Sequence, residues 1–339
     1  MLLCASKGTN KSACGKQATP WLETRYMVNA PVDLASDTPH IGRPKLGLAL
    51  GSGSARGWAH IGIIQELEAM GYKPDVVVGT SIGALVGAVY VSGMLEDFTQ
   101  WVSHLSFRDV LGFLDIGFSG GVVKGEKLFN FFSEHQTNPL IEELDIPFAT
   151  VATDMATGRE AWIRTGRVLD AARASCALPG LFSPVRHQGQ WMLDGGLVNP
   201  VPVSVCRALG AQVVIAVNLN GQLVGRHLNT AAIEEVSTED ITQGEEETSM
   251  WDKLKDYFAS KDNGDTSPGF LDVIGSSVNI MQDRITRSRM AGDPPEINLV
   301  PVLADFALMD FHRAKEAIDE GRRLVRAAEE SLRWLLKDS

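Results

Sequence analysis

Cysteine is scarce in this chain of 339 residues: Cys4, Cys14, Cys176 and Cys206 show neither the paired spacing of a metal site nor a disulfide framework. A reducing, cytoplasmic setting is the expectation. Basic residues are also in deficit, with 31 Lys and Arg against 42 Asp and Glu and a net charge of −11. That balance argues against a nucleic-acid footprint, which needs a basic patch, and against long-range attraction to anionic lipid. The opening Met1-Leu2-Leu3-Cys4 lacks the basic start and the apolar stretch of ~7–15 residues that a secretory leader needs. Uncharged runs of membrane-spanning length are represented by Val76 to Leu95. Gly79, Gly83, Gly87 and Gly93 punctuate it, so it reads better as a buried strand, a sharp turn and a closely packed helix.

What the chain does have is a hydrophobic content of 44%, ample for a large core. Strands are expected at Lys45–Leu50, Asp75–Val78, Pro147–Thr153, Ala161–Arg164, Trp191–Leu193, Val213–Asn218 and Glu296–Leu303. Helices interleave at Trp58–Met70, Ile82–Ser92, Lys127–Glu134, Leu169–Ser175 and Pro202–Leu209. Such alternation predicts an α/β fold whose mostly parallel sheet is covered on both faces. Residues 1–43 mix polar and small residues without a period and read as a flexible extension; 44–220 form the core; 221–270 are an acidic insertion, with Glu245-Glu246-Glu247 inside it. Residues 271–339 return to the same domain as a helix, a strand and a long helix. In that last helix Phe311, Ala314, Ile318, Gly321, Val325, Ala328, Leu332 and Leu335 recur at heptad spacing, and the small residues among them suit close packing on a sheet or a neighbouring helix.

Three short segments carry the chemistry. The apolar run Val76-Val77-Val78 feeds Gly79-Thr80-Ser81-Ile82-Gly83 and then a helix, the setting in which glycines expose a serine hydroxyl at a strand end. The first strand runs into Gly51-Ser52-Gly53-Ser54-Ala55-Arg56-Gly57, whose bare N–H groups at a helix start suit an anion or a developing oxyanion. A dinucleotide loop is the rival reading, but Arg56 occupies its third glycine position and the second strand ends in Gly79 where a ribose-binding acid belongs. Farther on, Asp194-Gly195-Gly196 ends a short strand. By itself it is a turn; brought to Ser81 it is a proton acceptor. Of the histidines, His60 follows the glycine-rich loop, His187 falls in a hairpin and His312 opens the last helix, so a Ser-His-Asp arrangement through His60 stands as an alternative.

Taken in order, these segments, together with Arg173-Ala174-Ser175-Cys176-Ala177-Leu178-Pro179-Gly180-Leu181-Phe182-Ser183-Pro184, resemble the patatin-like phospholipase family over roughly Pro44 to Asn220. The smaller bacterial members related to neuropathy target esterase look most similar. The resemblance implies a three-layer α/β/α patatin-like fold and an acyl hydrolase (EC 3.1.1.-) of lysophospholipase, phospholipase A or carboxylesterase type. It implies Ser81 as nucleophile, Asp194 as base and residues Gly51, Ser52, Gly53, Ser54, Ala55, Arg56 and Gly57 as oxyanion loop. Gly79 and Gly83 frame the elbow; Gly195 and Gly196 clear the base. Ser52 stands where many members have another glycine. No metal or cofactor is implied.

Two rivals use the same residues: an acyltransferase that passes the acyl group to a lipid alcohol, and a regulatory binding protein with little turnover. The expected partner is a lipid ester, met by peripheral contact with a membrane. Phe107 to Phe118 reads either as a satellite core or as the wall of an acyl trough. Ser249 to Lys261, with Trp251, Leu254 and Phe258 at helical spacing, reads as a docked or an interfacial helix. Arg56 is expected to anchor its loop through a carboxylate, or else to meet a lipid phosphate.

Overall fold

The computed structural model describes residues 43–113, 138–179, 181–222 and 270–336. Residues 1–42 of the extension 1–43, the predicted helix Lys127–Glu134 and the segment Ser249–Lys261 lie outside the described residues. Eight strands form one sheet: β1 (Leu46–Leu50), β2 (Val76–Thr80), β3 (Phe148–Asp154), β4 (Glu160–Ile163), β5 (Val185–His187), β6 (Gln190–Asp194), β7 (Val213–Val217) and β8 (Ile297–Leu299). Their order is β5-β6-β3-β2-β1-β7-β8, with β4 also on β3. The run from β3 through β2, β1 and β7 to β8 is parallel, while β4, β5 and β6 pair antiparallel.

The apolar runs in β1, β2, β3 and β7 are buried at every position, as expected for parallel strands covered on both faces. Strand alternation divides the core. Leu46, Leu48, Leu50, Val77, Ile215 and Val217 face helices α1 (Ala59–Ala69), α2 (Ile82–Val91), α3 (Leu95–Ser103) and α5 (Val168–Ser175); between α3 and α5 comes the short α4 (Phe107–Phe113). Ala49, Val76, Val78, Ala149, Val151, Val214 and Ala216 face α6 (Val203–Ala208), with Met290 of the long α7 (Phe270–Gly292) packed beside them. The result is the α/β/α sandwich that the strand and helix alternation predicts.

The terminal heptad pattern does not make one helix. It begins as a 3-10 turn over Phe311–Arg313 and continues as α8 (Ala314–Ala327). The chain then leaves helical geometry at Ala328 (φ −94°, ψ 3°) before α9 (Glu329–Leu335). Glu329 and Glu330 open α9, where acids favour a new helix start. Spacing alone hides the break because Leu332 is still buried beyond it. The small seam residues do what their size suggests. A Cβ on Gly321 would lie 2.2 Å from the Ala59 carbonyl oxygen, so α8 rides directly on the backbone of α1.

Other boundaries shift for local reasons. The expected strand Glu296–Leu303 shortens to Ile297–Leu299, because Pro301 has no N–H to continue a ladder. Within Phe107 to Phe118, read as a satellite core or the wall of an acyl trough, residues Phe107–Phe113 form the helix α4, and the Phe107 ring meets the His312 ring edge-on at 5.5 Å.

Candidate functional site

The register of β3 explains how two segments far apart in sequence meet. Along one edge of β3, β2 pairs as far as Thr80 opposite Val151; from the next residue onward β6 takes the same edge, with Asp194 opposite Ala152. Strand β4 occupies the other edge over the same residues. Strands β2 and β6 therefore run tip to tip, and the residue after Thr80 is delivered to the last residue of β6. The Ser81 hydroxyl donates to Asp194 Oδ2 at 2.5 Å.

Ser81 sits at φ 56° and ψ −126°, an angle pair that non-glycine residues rarely adopt. The surrounding turn holds it there. A Cβ at Gly83 would lie 2.2 Å from the Leu50 carbonyl oxygen, so α2 can start this close to β1 only with glycine at that position. The Ser81 N–H donates to Ser175 Oγ at 2.8 Å, and Ser175 in turn donates to the Val151 carbonyl. Strain at a turn of this kind costs of order 1–3 kcal/mol and persists because its neighbours over-determine it.

Asp194 is completely buried. Its Oδ1 accepts from the Gly196 N–H at 2.7 Å and its own carbonyl accepts from Thr153 Oγ1 at 2.8 Å. Burial pushes its carboxyl up from 3.8 to about 6, against the opposing pull of the Ser81 and Gly196 hydrogen bonds. The carboxylate is thus a better base than an exposed one, yet ionised at neutral pH. Cys176 lines the same cavity, and burial together with the Asp194 charge keeps its thiol protonated.

The glycine-rich loop divides by function of its amides. The Gly51 N–H bonds to the Val217 carbonyl, that of Ser52 to Pro200 and that of Ala55 to Leu308. The amides of Gly53 and Ser54 have no acceptor among the described residues, and Ser54 opens a 3-10 turn, where first-turn amides lack internal partners. Gly53, Ser54 and Ser81 line one cavity of about 40 Å³, whose apolar wall includes Leu178, Phe182, Val278 and Leu308.

Arg56 is buried, but its anchor differs from the expected carboxylate. Its Nε donates to the Gly53 carbonyl at 3.1 Å and an NH2 nitrogen donates to Asn279 Oδ1 at 2.9 Å. Among the described residues no acid lies within ion-pairing distance, and burial lowers the guanidinium to about 9. The side chain spans the loop and α7 while facing the cavity.

His60 is not in the site. Its Nε2 lies 2.8 Å from the Gly51 carbonyl oxygen, which only accepts, so Nε2 carries the proton. Nδ1 has no partner among the described residues, and burial lowers the imidazole to about 4. His187 ends β5 opposite Gln190, and the His312 ring meets Phe107 edge-on. Among the described residues no cluster of three or more His, Cys, Asp or Glu is arranged to hold a metal.

Sequence reading missed Ser175, Asn279 and Gln282. Ser175 lies inside the quoted segment before Asp194, but as an ordinary helix position. Asn279 and Gln282 come from α7, with no local signal linking them to a loop more than 200 positions earlier.

Comparison with known proteins gives a family match. A family model described as patatin-like phospholipase matches residues 48–207. An uncharacterized NTE family protein of Mycobacterium tuberculosis, Rv1063c, is 31% identical over 331 residues, covering 85% of this chain and 92% of its own. Lysophospholipase nte1 of Emericella nidulans is 32% identical over 183 residues, 51% of this chain and 12% of that protein. The crystal structure of VipD from Legionella pneumophila superposes with a TM-score of 0.48 at 14% identity, over 86% of this chain and 67% of that one.

Proposed function

Since the chain belongs to the patatin-like phospholipase family, among its NTE family proteins, and is a lipid hydrolase by that membership, we propose that it cleaves lipid esters through Ser81 and Asp194 without a histidine. The observation that carries this reading is the 2.5 Å hydrogen bond from Ser81 Oγ to a buried carboxylate. No histidine bonds to either group among the described residues.

In the first half-reaction Ser81 Oγ attacks the ester carbonyl as its proton passes to Asp194. Negative charge develops on the carbonyl oxygen, and the unpartnered amides of Gly53 and Ser54 are the donors offered to it, a contribution commonly of ~2.7–4 kcal/mol per donor. The ester C–O bond then breaks, and the leaving alcohol takes the proton from Asp194. Water attacks the acyl-Ser81 ester, gives its proton to Asp194, and the acid departs as Ser81 recovers that proton.

The apolar wall of Leu178, Phe182, Val278 and Leu308 suits an acyl chain. Peripheral contact with lipid belongs to the same proposal, supported by the amphipathic spacing of Trp251, Leu254 and Phe258. Of the described residues, no helix is long and apolar enough to cross a membrane. A fluorophosphonate probe tests the reading directly. It should label wild type at Ser81, as read by peptide mass, and lysophospholipid should release fatty acid; an unlabelled Ser81 in active protein would overturn it.

A further inference from the structure

The cavity contains a polar group for which the Ser81–Asp194 exchange has no use. Gln282 of α7 is 3% exposed and lines the cavity beside Ser81. Its partner is Asn220, 1% exposed, whose Nδ2 donates to Gln282 Oε1 at 2.7 Å and approaches the Ser52 carbonyl oxygen at 3.4 Å.

These contacts fix which way each amide faces. A backbone carbonyl only accepts, so the Asn220 atom turned to Ser52 is its nitrogen. The same nitrogen meets Gln282, which must present its oxygen there. Gln282 Nε2 therefore points the other way, toward Gly196. A Cβ built on Gly196 would lie 2.3 Å from Gln282 Nε2, 2.9 Å from Asp194 Oδ1 and 3.0 Å from Ser52 Oγ. Three polar atoms converge on this glycine, and no larger residue fits among them. Neither Gln282 Nε2 nor Ser52 Oγ has a hydrogen-bond partner among the described residues.

We propose that Gln282, oriented by Asn220, positions the water that hydrolyses the acyl-enzyme. This rests on the Ser81–Asp194 reading and adds to it the residue that decides whether the acyl group leaves to water. A water on the cavity side of these atoms, where Gln282, Ser52 and Ser81 line the same space, accepts from Gln282 Nε2 and donates to Ser52 Oγ and, once Ser81 is acylated, to Asp194. Its remaining lone pair is free for the acyl carbonyl. As the water oxygen bonds to the carbonyl carbon, its proton passes to Asp194; when the Ser81 Oγ–carbon bond breaks, Oγ takes that proton and the carboxylic acid leaves. Acylation needs none of this, because Asp194 already holds the Ser81 hydroxyl. Gln282 is thus a positioning residue for the second half-reaction alone.

Stopped-flow hydrolysis of a short p-nitrophenyl ester separates the halves, since the nitrophenolate burst reports acylation and the steady state reports deacylation. Gln282→Met keeps the volume and removes the amide. The burst rate should stay within about twofold of wild type, while the steady-state rate falls ~10-fold or more, the scale of lost positioning. Intact mass should then show an acyl adduct on Ser81, and added hydroxylamine should restore turnover. Asn220→Asp offers Gln282 an acceptor in place of a donor and turns its amide around, so it should reproduce the effect even if Gln282→Met fails to fold. A steady-state rate unchanged in both variants, or burst and steady state falling in proportion, overturns this inference and leaves the Ser81–Asp194 reading standing. An active wild type that fluorophosphonate does not label at Ser81 overturns both.

Discussion

Ser175 holds Ser81 by its backbone: one hydroxyl accepts from the Ser81 N–H at 2.8 Å and donates a hydrogen bond to the Val151 carbonyl on β3. The elbow is thereby fastened to β3, the strand on which β6, the bearer of Asp194, is paired. Ser175→Ala leaves two buried backbone groups unpaired, at a cost of about 1–3 kcal/mol. Activity should fall ~10-fold as the serine loses its fixed position. Thermal denaturation and ester hydrolysis on the same preparation check this; loss of stability with full activity would show that the turn holds without it.

Ser81→Ala should abolish ester hydrolysis and fluorophosphonate labelling with the fold intact. Ser81→Gly goes further, because glycine adopts φ 56° without strain. It should be equally inactive yet more stable than Ser81→Ala by about 1 kcal/mol. Denaturant unfolding of the two variants distinguishes them, and equal midpoints would place the strain elsewhere.

The pH dependence follows from Asp194. Its carboxyl must be ionised to accept a proton, so kcat/KM should rise with pH through an acid limb centred near 6, well above the ordinary 3.8. The same shift enters stability with the opposite trend. Between about 4 and 6 the folded protein holds a proton that the unfolded chain has released, so stability declines as pH rises through that window, by up to about 3 kcal/mol. Asp194→Asn keeps the hydrogen-bonding geometry and removes this titration. It should be inactive, and its melting temperature relative to wild type should climb from pH 4 to pH 7. A constant difference across that range would refute the raised carboxyl.

His60→Gln keeps a donor toward the Gly51 carbonyl and should retain most activity with an unchanged acid limb. His60→Ala loses that bond and opens a cavity, costing roughly 2–4 kcal/mol, with activity falling alongside the melting temperature. Inactive His60→Gln of normal stability would bring the imidazole back into the mechanism.

The central strands and the elbow were legible because each is written locally: an apolar run, then glycines at fixed offsets. Asp194 was legible only in company, since Asp-Gly-Gly alone reads as a turn and its delivery to Ser81 depends on β6 running against β3. The loop Gly51–Gly57 was visible as a unit, but which amides remain unpartnered is decided by Val217, Pro200 and Leu308, residues spread across the chain. Arg56 illustrates the same limit. Its charge suggested a carboxylate, whereas the fold gives it a backbone carbonyl and the amide oxygen of Asn279. The break at Ala328 escaped notice because heptad spacing records which side chains are buried and says little about the backbone between them.

The tip-to-tip meeting of β2 and β6 makes the proposed activity depend on a strand other than those that present Ser81. Strand β6 is held to β3 by only three register pairs, and β5 beyond it pairs with β6 alone. The parallel strands that present Ser81 can assemble before this antiparallel hairpin docks, but they lack the carboxylate until it does. On gentle heating the hairpin, at the margin of the sheet, is the piece expected to open first. Catalysis should then switch off several degrees before the helices melt, with amides of Trp191 to Leu193 exchanging with solvent ahead of those in β1 and β7.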